Sequence, residues 1–179
     1  MKNADVEVCR DLVNWNSKAT EYLREFFNGD FERVIGTRFG DNIIKLAVLI
    51  EKALIEPDTF RGVRDVQDRL QAGAIVEEEF DYLFIDNFTT APWNVLGNQP
   101  ESLKGAGTSL MEELVQESID LGFEGRLKLY PVERALSFYR DIGFTESEDA
   151  SGELELTSEA AKAFLERQRE FRQTGRKPR

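Results

Sequence analysis

KGAGTSLMEELVQ, residues 104–116, is the stretch on which the fold of this chain turns. Two glycines flank one alanine, and an amphipathic run follows at once, with Leu110, Met111, Leu114, Val115, Ser118 and Ile119 on one face. Bare backbone at the mouth of a helix suits an anion. The first N–H groups of a helix have no intrahelical partner, and the helix dipole is positive there. Glycine lets the backbone come close and adopt positive φ. Lys104 adds a cation. Two standard phosphate loops fail the test: Leu110 stands where a dinucleotide-binding loop needs its third glycine, and Gly107 is followed by Thr108 with no P-loop lysine. Taken alone, Gly-Ala-Gly reads equally as a tight turn without a ligand.

Working outward, FDYLFIDNFTT (80–90) reads as a central strand and RLKLY (126–130) as a short one. Strand, glycine loop, helix, strand is a βαβ unit, so these strands should be parallel with a right-handed crossover. Pro131 opens a further helix in which Ala135, Phe138, Tyr139 and Ile142 face inward and which Gly143 ends. FTESE and GELEL suggest an antiparallel hairpin, and TSEAAKAFLERQREF a last helix capped by Thr157 or Ser158. Upstream, Val6, Cys9, Leu12 and Val13, then Tyr22, Leu23, Phe26 and Phe27, recur at helical spacing up to an NGD stop at 28–30. FERVIGTRF and IIKLAVLIEKALI around Gly40–Asn42 suggest a second antiparallel hairpin, with part of the latter run open to a helical reading. DTFRGVRDVQDRLQAG, 58–73, reads as a short helix with Val63, Val66 and Leu70 on one face. The sum is one α/β domain with a mixed sheet and helices on both faces.

Composition narrows the chemistry. The 179 residues include no histidine and one cysteine, Cys9. That excludes a Ser–His–Asp triad, a Cys–His pair, a histidine metal site and an intrachain disulfide, so no metal is expected. Proton transfer falls to Asp, Glu, Tyr, Lys or water. No apolar run approaches the roughly 18 residues of a membrane span. The start, MKNADVEVCRDLV, carries acids where a signal peptide is basic and then apolar, so a soluble, cytoplasmic protein is expected. A net charge of −11 argues against nucleic-acid binding by the body. The last fourteen residues carry +4, leaving −15 elsewhere. That basic tail is read as a solvated, frayed terminus, with RNA or an acidic partner as the other reading.

The loop at Gly105 and Gly107, followed at the right separation by ALSFYRDIGF (135–144), resembles the GNAT superfamily of acetyl-CoA-dependent N-acetyltransferases. The resemblance covers about residues 80–165. The segment TTAPWN, 89–94, looks like a bacterial GNAT-like subgroup. The chain departs from the family pattern at Ser102, where the loop usually has Arg or Gln, and at Val132, where Asn is frequent.

The resemblance implies a central mixed, mostly antiparallel sheet with one parallel strand pair that splays apart. It implies acetyl-CoA as cofactor, its pyrophosphate on Leu103, Lys104, Gly105, Ala106, Gly107 and Thr108. Backbone groups of Phe88 and Thr90 would meet the pantetheine arm and acyl carbonyl, and Tyr139 would donate to the coenzyme A sulfur. The N-terminal helices (1–30) would form the acceptor wall, residues 80–165 the acyl-CoA-binding core and 166–179 the basic tail. GNAT proteins are often dimers, so a homodimer is implied too.

The residues themselves suggest a base. Asp86 alternates onto the face of Phe88 and Thr90, and burial among aromatic residues would raise its pKa. Trp93 and Asn94 are candidates for a wall of the acceptor pocket, against simple loop packing. The many carboxylates suit a cationic acceptor such as a polyamine, an aminoglycoside or a protein lysine. Three functions stand: an N-acetyltransferase acting on a small-molecule or protein amine, a GNAT-fold protein that binds coenzyme A or a partner without transfer, and a toxin-like acetyltransferase of aminoacyl-tRNA.

Overall fold

The structure is a computed structural model that describes residues 6–175. It holds α1 (Val6–Phe27), α2 (Arg38–Ile55), β1 (Phe60–Arg64), β2 (Leu70–Glu78), β3 (Leu83–Thr90), α3 (Ala106–Asp120), β4 (Leu127–Leu129), α4 (Leu136–Ile142), β5 (Thr145–Glu146), β6 (Leu154–Leu156) and α5 (Ser158–Thr174). The strands form one six-stranded sheet in the order β1-β2-β3-β4-β6-β5. β3 and β4 are parallel, pairing Leu83, Phe84 and Ile85 with Leu127, Lys128 and Leu129. The mixed, mostly antiparallel sheet and its parallel pair are as the sequence suggests. The chain divides into two compact units, residues up to Val76 with Asp86–Leu110, and Glu77–Ile85 with Met111 onward.

In the first unit, α1 buries Val8, Leu12, Trp15, Ala19 and Tyr22, a stripe spaced by three and four residues. Asn28 and Gly29, both at positive φ, stop it. Trp93 packs edge-on to Trp15 at 6.2 Å, and the Trp15 indole N–H donates to Leu70 O at 3.1 Å.

The hairpin expected over 31–55 is not formed. Phe31–Val34 is a 3-10 turn and 38–55 is one continuous helix. Thr37 caps that helix by accepting the Gly40 N–H at 3.1 Å. The apolar positions Phe39, Leu46, Leu49 and Ala53 keep helical spacing. Gly-Asp-Asn is therefore not a turn. Gly40 is glycine because a Cβ there would lie 2.1 Å from Val34 O. Gly40→Ala should thus lower stability by about 1–3 kcal/mol, a Tm loss of several degrees in a thermal melt. A rise in Tm, the usual result for Gly→Ala in an open helix, would show that turn and helix are not pressed together.

The helix expected over 58–73 is also absent. These residues form β1, a tight turn and the start of β2, paired antiparallel from Phe60↔Ile75 to Arg64↔Leu70. Val63 and Leu70 lie on different strands and Val66 is exposed at the turn. The Asp65 side chain closes the turn by accepting the N–H groups of Gln67 at 2.8 Å and Arg69 at 3.0 Å.

In the second unit, β6 pairs antiparallel with both β4 and β5, so the expected C-terminal hairpin is present. Lys128 is buried on β4, paired with Asp149 and, at 3.4 Å, with Glu153, and lies over the Tyr82 ring. Thr157 caps α5 by accepting the Ala160 N–H at 3.3 Å. That helix continues to Thr174, so residues 166–174 are helical rather than frayed. Its Arg172 pairs with Glu112 at 2.7 Å and Arg167 donates to Ile142 O at 2.7 Å. The rest of the basic tail, Arg176, Lys177 and Arg179, lies outside the described residues.

Candidate functional site

The glycine loop lies at the mouth of a helix, as the sequence indicates. Ser109 N–H donates to Gly105 O at 2.8 Å, which starts the helical ladder. By helix geometry, the N–H groups of the residues just before Ser109 have no carbonyl within the helix. Gly105 sits at φ +90°, and a Cβ built on it would meet nothing within 4 Å. The backbone is thus bare toward open space. Lys104 and Gly105 are exposed, Gly107 and Thr108 partly so, and Ala106 is buried. No acid occupies the first turn of α3. Positive dipole end, open glycine and neighbouring cation fit a phosphate group. Leu103, whose side chain is exposed, enters the loop through its backbone: its N–H donates to Asn94 Oδ1 at 2.7 Å.

Strand β3 changes character along its length. Its last pairing with β4 is at Ile85, and β3 runs on to Thr90. Leu83 donates its N–H to Arg126 O, before β4, whereas Ala91 donates its N–H to Gln71 O on β2. Residues an even number apart on a regular strand send their N–H groups to one side. The alternation is therefore interrupted between them, and burial shows the same break, with Asn87, Phe88 and Thr89 buried in succession. Beyond the break, α2 ties down the strand. Asn42 Nδ2 donates to Thr89 Oγ1 and to Thr90 O, both at 2.8 Å. Lys45 Nζ donates to Phe88 O at 3.2 Å, and Asn87 Nδ2 to Lys45 O at 3.0 Å. Burial pushes the Lys45 ammonium below its ordinary lysine value, and Asp41 partly opposes this. The carbonyls of Phe88 and Thr90 are thus both engaged by side chains of α2.

Three expectations need correction. Asp86 is not buried: its side chain is 32% exposed and paired with Lys52 at 2.9 Å. The desolvated setting that was to make it a base is missing, because the aromatic neighbours on β3 do not cover this position. Trp93 is no pocket wall. It is 3% exposed within the apolar core, its indole N–H donating to Gln71 Oε1 at 3.0 Å. Asn94 spends both ends of its amide internally, on Gln71 and on Leu103 N–H, so it too is not directed at an acceptor.

Tyr139 belongs to the second unit, on α4. It is buried, with ring contacts to Phe138 and Phe144 at 5.2 and 5.5 Å. Burial raises its hydroxyl well above the ordinary tyrosine value, so it stays protonated across the physiological range. Asn42, Lys45 and Gln71 carried no signal under the hairpin and helix readings of their segments. Read as a helix, 38–55 shows one polar residue, Asn42, within its apolar stripe, and that is the mark of a buried amide with partners. Among the described residues, no group of three or more His, Cys, Asp or Glu side chains could hold a metal ion, and no helix is long and apolar enough to cross a membrane.

No protein-family model matches the chain, and no curated protein matches it. Solved structures do. A GNAT-family acetyltransferase from Staphylococcus aureus Mu50 superposes with a TM-score of 0.52 over 88% of this chain and 97% of its own, at 11% identity. Tetrahymena GCN5 aligns at 0.49 over 86% and 88%, at 14% identity. The PaiA N-acetyltransferase of Thermoplasma acidophilum, solved with coenzyme A, aligns at 0.47 over 82% and 91%, at 16% identity. The likeness to the first shows that this chain has the GNAT fold.

Proposed function

We propose that this protein is an acetyl-CoA-dependent N-acetyltransferase acting on a primary amine. One observation carries the reading: in a GNAT fold, Gly105 holds positive φ at the start of α3 with open space where a side chain would stand. Bound acetyl-CoA would supply an activated acetyl thioester. Leu103, Lys104, Gly105, Ala106, Gly107 and Thr108 would hold its pyrophosphate through backbone N–H groups and the Lys104 ammonium. β3 runs on to Thr90 beyond its last pair with β4 at Ile85, and backbone groups of Phe88 and Thr90 would serve the pantetheine amides there.

In the overall reaction the amine nitrogen bonds to the acyl carbon, the carbon–sulfur bond breaks, the amine loses a proton and the sulfur gains one. Tyr139 would donate a hydrogen bond to the departing sulfur from a hydroxyl that stays protonated at neutral pH. Outright ionisation of so weak an acid by a thiolate of ordinary pKa, about 8.5, is uphill. The proton balance would therefore rest on the amine's own proton. With Asp86 exposed and ion-paired, solvent is the better acceptor for that proton. The net charge of −11 favours a cationic acceptor such as a polyamine, an aminoglycoside or a protein lysine. The helical, internally paired stretch at Arg167 and Arg172 lends little to an RNA-bound acceptor.

Turnover of acetyl-CoA with a panel of amines, followed as free thiol released, tests this reading. Amine-dependent release supports it. Binding of acetyl-CoA without release for any amine would leave a coenzyme A-binding protein that performs no transfer.

A further inference from the structure

A chain of hydrogen bonds runs from a carboxylate in the β1–β2 turn, past the start of β2, to the backbone just before the glycine loop. Asp65, in the β1–β2 turn, uses Oδ1 to accept the N–H groups of Gln67 and Arg69. Its Oδ2 accepts from Arg69 Nε at 2.8 Å and from Gln71 Nε2 at 2.8 Å. Gln71 is 1% exposed. Its Oε1 accepts from Trp93 Nε1 and from Asn94 Nδ2, both at 3.0 Å. Asn94 Nδ2 also donates to Gln71 O at 3.1 Å, and Asn94 Oδ1 accepts the Leu103 N–H at 2.7 Å.

The sense of this chain is fixed from one end. An ionised carboxylate only accepts, so the Gln71 amide must turn its NH2 toward Asp65 and its oxygen toward Trp93 and Asn94. Trp93 Nε1 only donates, which enforces the same orientation. Asn94 must then turn its NH2 toward Gln71, and that leaves its oxygen for Leu103. Burial alone would raise the Asp65 carboxyl, but the Arg69, Gln67 and Gln71 donors outweigh it and hold the pKa at about 2. A depressed folded pKa contributes stability that is complete above the ordinary value of 3.8 and is lost as pH falls through about 2. The sense is therefore constant at any physiological pH.

We propose that Asp65, Gln71 and Asn94 are positioning residues that set the placement of Leu103 and, through it, the glycine loop on which the pyrophosphate of coenzyme A rests. This rests on the acetyl-CoA reading of that loop and adds residues that never touch the ligand. Asp65→Asn is the sharpest test, because it keeps shape and reverses one group. Its oxygen must stay on the two backbone N–H groups, so its NH2 meets the Gln71 and Arg69 donors. The conflict then passes along the amides to Leu103.

Three variants would be compared with the wild type: Asp65→Asn, Asn94→Ala, and the control Arg69→Gln, which weakens the Asp65 ion pair but leaves the amide chain's sense unchanged. Two readouts apply, amide hydrogen exchange at Leu103 by NMR, and affinity for coenzyme A against S-acetylpantetheine, which lacks the pyrophosphate. The expected result is faster exchange at Leu103 and about tenfold weaker coenzyme A binding in the first two variants, as for loss of about one hydrogen bond. S-acetylpantetheine affinity should be unchanged, and the control should match the wild type on every readout. Folded variants with unchanged exchange and unchanged coenzyme A affinity would overturn the proposal, as would equal loss for both ligands. A wild type that binds no coenzyme A would instead defeat the acetyl-CoA reading itself, and the relay's role with it.

Discussion

Gly105→Val is expected to abolish the binding of acetyl-CoA to a protein that still folds. The side chain would stand in the space where a phosphate meets the start of α3, since nothing else lies within 4 Å of that Cβ. It would also sit at φ +90°, where a β-branched residue is strained by about 1–2 kcal/mol. Relief of that strain would move the loop and misdirect its N–H groups. Hydrogen bonds to a charged group contribute about 1.5–3 kcal/mol each, so loss of two weakens binding by at least about a hundredfold. Isothermal titration against the wild type measures this. The strain alone would lower Tm by a few degrees and is read separately from the same sample without ligand. Normal affinity in a folded Gly105→Val variant would place the phosphate elsewhere.

Tyr139→Phe should lower kcat by about a hundredfold, the scale of one hydrogen-bond donor aimed at developing charge, with little change in KM for acetyl-CoA. The ring stays, and with it the packing on Phe138 and Phe144. Only the hydroxyl is lost. Burial keeps that hydroxyl protonated beyond the usual tyrosine range, so the pH–rate profile of the wild type should show no break from Tyr139 below pH 10. Steady-state kinetics on the two proteins decide it. An unchanged kcat would remove Tyr139 from the mechanism, and a KM rise with unchanged kcat would make it a binding residue.

The parts of the chain that were legible in sequence are those whose signals are local. Leu83–Thr90, the glycine loop, α3 and β4 read as a βαβ unit because length and period agreed at each step. The segment from Phe31 to Gly73 did not read correctly, for two different reasons. Gly40 mimics a turn residue, yet its lack of a side chain serves a close approach of Val34 O to a helix. Val63, Val66 and Leu70 mimic a helical stripe, although they come from two strands and the turn joining them. Both errors confuse a tertiary cause with a local one. They also hid Asn42, Lys45 and Gln71, which tie down β3 and the glycine loop. At the site, strict alternation along β3 does not hold. Asp86 stands at the surface, paired with Lys52, whereas Phe88 beyond the break is buried, and Trp93 joins the core beside Trp15. Neither consequence can be derived from residue type and spacing.

Acetyl-CoA is expected to bind this GNAT fold at the mouth of α3. A thermal melt with and without saturating acetyl-CoA tests it most directly. Ligand at a hundred times its Kd adds about 2.7 kcal/mol, a rise in Tm of roughly 5–10 °C for a domain of this size. The wild type should show that rise and Gly105→Val should not. No shift in the wild type with acetyl-CoA, coenzyme A or longer acyl-CoAs would contradict it and leave the glycines only to turn the chain.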